Sequence, residues 1–230
     1  MTTPAVTTTA SESRPNSWAV AGLLVGLPLA YWLKDEVFPW AHRLFGNGDH
    51  DAFYGFWLSV VVLHFATFVL CVGVLRRYRI TMTDIGMPER HRIVKTVATL
   101  AIVGMFVVIA RFLIGPVTVF GDTPFFGHGS PTGDAQRLVW IAFAIIAGVC
   151  EEFVYRGVVL TLLRRCGLSP AASVAVSIVP FALMHGPAGI FGFPFVATLA
   201  VVMSIVYVRT RSLTPCITMH ALLDLSVLFT

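Results

Sequence analysis

The chain has 230 residues, 57% of them hydrophobic and only 12% charged, with a mean hydropathy of +0.82. Soluble globular domains carry about 25% charged residues, so this composition excludes an ordinary soluble domain and points to a bilayer. The net charge of +4 does not point to nucleic acid, because the basic residues sit between apolar runs, where positive charge orients membrane helices.

Residues 1–16 are rich in Thr, Ser and Pro and are predicted to be a disordered tail. No basic start of a signal peptide precedes the first apolar run, which therefore reads as a retained helix. Residues 17–230 read as one transmembrane domain with a motif-bearing core over 137–230. Seven apolar runs follow in order: 17–33, 52–75, 93–114, 137–163, 169–185, 189–208 and 213–229. Runs of this kind predict an all-α, polytopic transmembrane bundle of about seven helices, surrounded by membrane lipid.

The connecting segments predict an orientation. Arg76, Arg77, Arg79, Arg90, Arg92 and Lys95 lie between the second and third runs, Arg164 and Arg165 after the fourth, and Arg209 and Arg211 after the sixth. The alternate loops carry few basic residues and most of the acids. The positive-inside rule then sets the N-terminus in the cytoplasm and the C-terminus outside, in a multi-pass protein of the cell membrane. Residues 80–91, with Gly86 and Pro88, are expected along the cytoplasmic interface, and the Gly/Pro/Asp-rich segment 115–136 outside. Cys71, Cys150, Cys166 and Cys216 form no CxxC pair and read as small buried hydrophobes.

Several polar residues stand where lipid should surround them. The fourth run holds Glu151, Glu152 and Arg156, the fifth ends at His185, and the seventh holds His220 and Asp224. A charge at mid-membrane costs roughly 2.5–3.5 kcal/mol, so these groups must pair, face a wet cavity or do chemistry. Glu152 and Arg156 are four apart and can pair on one helix face. Glu151 is rotated by about 100° from that stripe and needs a partner on another helix. Phe181 with His185, and His220 with Asp224, repeat the four-residue spacing. His64 lies among apolar residues of the second run and reads as structural.

A carboxylate and a neutral imidazole can together take a proton from water, and further polar groups can stabilise an oxyanion. Glu151, His185, His220 and Asp224 could also hold zinc, whose usual ligands they are. No HExxH, GxSxG, Ser/Lys pair or pair of intramembrane aspartates is present. Intramembrane carboxylates and histidines also mark ion paths, so a small transporter or proton relay is one alternative. A non-catalytic scaffold or immunity protein of the same fold is the other. The chain shows no repeated halves of the kind transporters carry.

The string Glu151-Glu152-Phe153-Val154-Tyr155-Arg156-Gly157 is EExxxR followed by Gly, Phe181 to His185 is FxxxH, and His220 to Asp224 is HxxxD. In this order and spacing the chain resembles the CPBP family, the CAAX-protease and bacteriocin-processing membrane proteins also called Abi or type II CAAX prenyl endopeptidase-like. The segment Thr83-Asp84-Ile85-Gly86-Met87 also looks like a short DxG element of such proteins. The resemblance implies an intramembrane endopeptidase acting on membrane-associated, lipidated or prenylated proteins or peptides. It implies that Glu151 and His185 activate the water, that His220 and residue 224 bind the oxyanion, and that Glu152, Arg156 and Phe181 support the site. The family pattern usually ends in Asn, and this chain has Asp224. An ionised Asp cannot donate to an oxyanion, so Asp224 must be protonated, orient His220 or bind a metal. With straight helices starting in one plane, His220 lies about 10 Å, Glu151 about 20 Å and His185 about 25 Å from the cytoplasmic end. A single site then requires tilt or kinks, for which Pro180 and Pro215 are candidates.

Overall fold

A computed structural model describes residues 15–34, 49–87, 104, 131, 133–185 and 189–229, and within these the regular structure is helical. Helix α1 (Ser17–Trp32) is capped by Asn16, whose side chain accepts from the Trp18 N–H at 3.0 Å. Helix α2 is Asp49–Arg77. Helix α3 runs over Asp134–Arg165. Helix α4 (Pro170–Met184) opens with Pro170 after Ser169, whose hydroxyl accepts from the Ala172 N–H at 3.2 Å. This is the cap-then-proline start expected of a helix N-terminus. Helix α5 (Gly189–Thr210) and helix α6 (Leu213–Leu225) follow, and a single 3-10 turn (Ser226–Phe229) ends α6.

These helices match the apolar runs at 17–33, 52–75, 137–163, 169–185, 189–208 and 213–229. The third run, 93–114, lies outside the described residues apart from residue 104, as do most of residues 115–136. Among the described residues two helices, Phe53–Arg77 and Asp134–Arg165, are long and apolar enough to cross a membrane, while α1, α4 and α6 are shorter apolar helices. The outer faces carry large apolar side chains: Phe65 is 68% exposed, Leu138 69%, Ile145 51% and Val179 53%. The polar residues Glu151, Glu152, Arg156 and His220 are buried instead. Apolar outside and charged inside is the arrangement lipid selects, because in water such a surface drives association.

Helix α3 organises the bundle, with α2 and α6 packed along it. Its middle, Phe153–Val159, is wound as a π-helix, and every residue of that stretch is buried. The Leu160 N–H reaches back five residues to the Tyr155 carbonyl. This wider turn begins directly after Glu151 and Glu152, and π segments are frequent at functional sites.

Two close approaches fix neighbours of α3. A Cβ on Gly148 would stand 3.1 Å from the Ala221 nitrogen and 3.1 Å from the Ile217 oxygen, both backbone atoms of α6. Any side chain at this position would force the two helices slightly apart. Of the residues 80–91 expected along the interface, 82–86 fold as tight turns and 88–91 lie outside the described residues. Asp84 Oδ2 accepts from the Thr81 N–H at 2.7 Å, Ile85 is fully buried, and the Gly86 carbonyl accepts from the Leu213 N–H at 2.9 Å. Gly86 has φ +79°, a conformation glycine adopts without penalty. The DxG element thus caps the start of α6. A Cβ on Gly157 would meet Leu213 at 3.3 Å and Ile85 at 3.4 Å, so the glycine ending the EExxxRG string seats this element.

Candidate functional site

Glu151 and Glu152 are consecutive on α3, so their side chains leave the helix in different directions. Both are buried, at 6% and 0% exposure. Glu152 Oε1 accepts from Arg156 Nη1 at 3.0 Å, the ion pair the spacing predicts. It also accepts from His220 Nδ1 at 2.8 Å. Arg156 makes two further contacts: Nη2 donates to the Ala200 carbonyl at 3.4 Å, and the guanidinium lies 4.3 Å from the centroid of the Phe181 ring. Arg rather than Lys suits this place, because a planar guanidinium can stack and donate in several directions at once.

Phe181 is the packing centre of the site. Its ring meets Tyr155 at 5.1 Å, His185 at 4.8 Å and His220 at 6.3 Å. The Phe181 backbone carbonyl accepts from His185 Nδ1 at 2.8 Å. The FxxxH spacing is therefore a mechanical unit: the residue one turn back supplies both the ring against the imidazole and the carbonyl that orients it.

Around Glu151 the structure gathers three histidines from three helices. His64 Nε2 of α2 is 2.9 Å from Oε1. His185 Nε2, at the end of α4, and His220 Nε2 of α6 are each 3.8 Å from Oε2. Oε2 is buried and has no hydrogen-bond partner among the described residues. Asp224 Oδ2 is 3.6 Å from His220 Nε2, and the Asp224 backbone carbonyl accepts from Trp140 Nε1 at 2.8 Å. On the His64 side a cavity of about 10 Å³, lined by Tyr31, His64, Thr67, Cys150 and Glu151 among others, has room for one water.

Glu151, Glu152, Arg156, Phe181, His185, His220 and Asp224 are thus brought together around α3. The unequal depths expected of straight helices do not keep them apart. Their contact means that the helices are tilted or that their ends do not share a plane. His64, read from the sequence as structural, reaches the Glu151 carboxylate, a contact the sequence did not indicate. A histidine buried at 1% exposure in an apolar helix needs a polar partner, and that requirement was its one sequence signal. Among the described residues no group of three or more His, Cys, Asp and Glu side chains is arranged to hold a metal ion. The zinc expectation thus finds no support in the donor geometry of the described residues.

A buried carboxylate with one oxygen anchored and the other facing two imidazoles can polarise and deprotonate a small molecule held in the gap. No curated protein and no solved structure matches the chain. Residues 134–226 match the family model described as Type II CAAX prenyl endopeptidase Rce1-like, a segment running from the start of α3 past Asp224. The matched segment holds the EExxxR, FxxxH and HxxxD motifs, and the match agrees with the resemblance they carry.

Proposed function

We propose that the protein is an intramembrane endopeptidase that hydrolyses a peptide bond of a membrane-associated or lipidated, CAAX-like protein or peptide. Supporting this reading most directly is Glu151 Oε2: buried, without a hydrogen-bond partner among the described residues, and 3.8 Å from the Nε2 atoms of both His185 and His220. A water at hydrogen-bond distance from Oε2 and from a histidine fits a separation of this size.

The proton bookkeeping assigns roles. A backbone carbonyl only accepts, so His185 Nδ1 carries the hydrogen of its bond to Phe181. In the neutral ring Nε2 then bears a lone pair, and two bases, Oε2 and His185 Nε2, face one water. Glu151 and His185 take a proton from it as its oxygen bonds to the scissile carbonyl carbon. His220 Nδ1 donates to Glu152, whose carboxylate also receives Arg156. For His220 Nε2 to donate to the oxyanion, the ring must carry both protons, and Glu152 and Asp224 at 2.8 and 3.6 Å supply the counter-charge. Collapse of the tetrahedral adduct breaks the C–N bond, and the proton held by Glu151 and His185 passes to the leaving amine. Glu152, Arg156 and Phe181 hold His220 and His185 in register.

The reading is tested with protein in nanodiscs and a panel of membrane-anchored peptides, each with and without a prenyl group, in the presence and absence of a chelator. Cleavage of anchored peptides that persists with chelator is the expected result. Cleavage only of soluble peptides overturns the substrate class, and loss of all cleavage on chelation overturns the metal-free chemistry.

A further inference from the structure

The buried histidine of α2 lies outside residues 134–226, so the family match does not cover it. Its ring is fixed on every side. Nδ1 is 2.8 Å from the Val60 carbonyl one turn back on the same helix. The ring of Tyr31 stands edge-on at 5.3 Å and 87°, and that of Phe143 at 6.1 Å and 88°. Nδ1 can only donate to the Val60 carbonyl, so for Nε2 to donate to Glu151 Oε1 at 2.9 Å the ring must carry both protons.

We propose that His64 is the positioning residue of Glu151, holding Oε1 so that Oε2 faces His185 and His220; this rests on the proteolytic reading above. The physical need for it is specific. The terminal torsion of a glutamate is broad and roughly two-fold, so an unanchored carboxyl swings through its plane and presents either oxygen to either side. With Oε1 held, Oε2 alone turns toward the two catalytic-side imidazoles. The anchor is itself anchored, since His64 belongs to a different helix from any of the three motifs and takes its orientation from Val60, Tyr31 and Phe143. Helix α2 thereby becomes part of the machinery although it carries none of the motif residues.

The test compares His64→Leu, which removes the donor, with His64→Gln, whose amide N–H can still reach Oε1. Both are purified in nanodiscs and checked for folding by thermal midpoint. Loss of a group that orients an active residue typically lowers activity about 10- to 100-fold. His64→Leu is expected to lose kcat in that range with KM little changed, and His64→Gln to regain most of the rate. Wild-type kcat in His64→Leu, or equal losses in both variants that track a fall in thermal midpoint, overturns the proposal. Imidazole nitrogen NMR supplies a readout that needs no substrate. The His64 Nε2 resonance, identified by its absence in His64→Gln, is expected to move in Glu151→Gln, and an unmoved resonance overturns the positioning role. If the wild type cleaves nothing, the proteolytic reading fails, and the NMR result alone decides the His64 reading.

Discussion

Asp224 departs from the asparagine usual at this place in the family pattern, and the geometry narrows what it does. Its carboxyl faces His220 Nε2 at 3.6 Å. Asparagine donates whatever the proton inventory of the site, so Asp224→Asn is expected to keep kcat within a few-fold of wild type. Asp224→Leu removes the counter-charge of His220 and supplies no donor in its place, and is expected to lower kcat by about 10². Wild-type kcat in the leucine variant would remove Asp224 from the site. At Arg156 the prediction concerns stability. Breaking a buried ion pair from one side costs about 3–5 kcal/mol, whereas replacing both partners is often near neutral. Arg156→Met should lower the thermal midpoint markedly, and adding Glu152→Leu should recover part of the loss, with His220 Nδ1 left unpaired. No recovery in the double variant would mean that the stacking on Phe181 dominates. The Glu152–Arg156 pair was legible in the sequence because both partners lie one turn apart on one helix. The His64–Glu151 pair was not, because 87 positions separate the two residues and nothing in the local pattern of α2 names a partner.

The helices themselves were largely legible, since apolar runs bounded by Arg, Gly and Pro set their extents to within a few residues. The π-helical turn over Phe153–Val159 was not, because a stretch buried on every side carries no exposed face from which the winding can be read. That turn starts immediately after the two glutamates, contains Arg156 and alters how α3 presents it. Gly148 was equally silent, being one small residue in an apolar run. In the structure it is the point where α3 and α6 touch through backbone atoms. Gly148→Ala should push α6 away, costing about 1–3 kcal/mol as overpacking, and should lower kcat as well because α6 carries His220. Thermal midpoints and cleavage rates of the purified variant check both effects. An unchanged midpoint would mean that α6 shifts freely, contrary to a site held at fixed distances.

At the scale of the bundle, exposed apolar side chains such as Phe65, Leu138 and Val179 contrast with the buried Glu151, Glu152, Arg156 and His220. The high hydropathy of the chain had already pointed to a membrane. What it could not supply was convergence, because treating the helices as straight rods from a common plane separated His220, Glu151 and His185 by depth. The orientation inferred from the basic loops yields its own expectation. In sealed vesicles with the cytoplasmic face inside, an N-terminal epitope should be protected from added protease and a C-terminal one digested. The reverse pattern would invert the topology.

The central claim is that Glu151 activates the attacking water. The direct measurement is kcat for cleavage of a membrane-anchored peptide by Glu151→Gln beside wild type, both in nanodiscs and both with intact thermal transitions. Glutamine keeps the shape and the oxygen but cannot take a proton, so cleavage should fall by at least the 10²–10⁴ typical of a general base. A folded Glu151→Gln that cleaves at the wild-type rate would contradict the account.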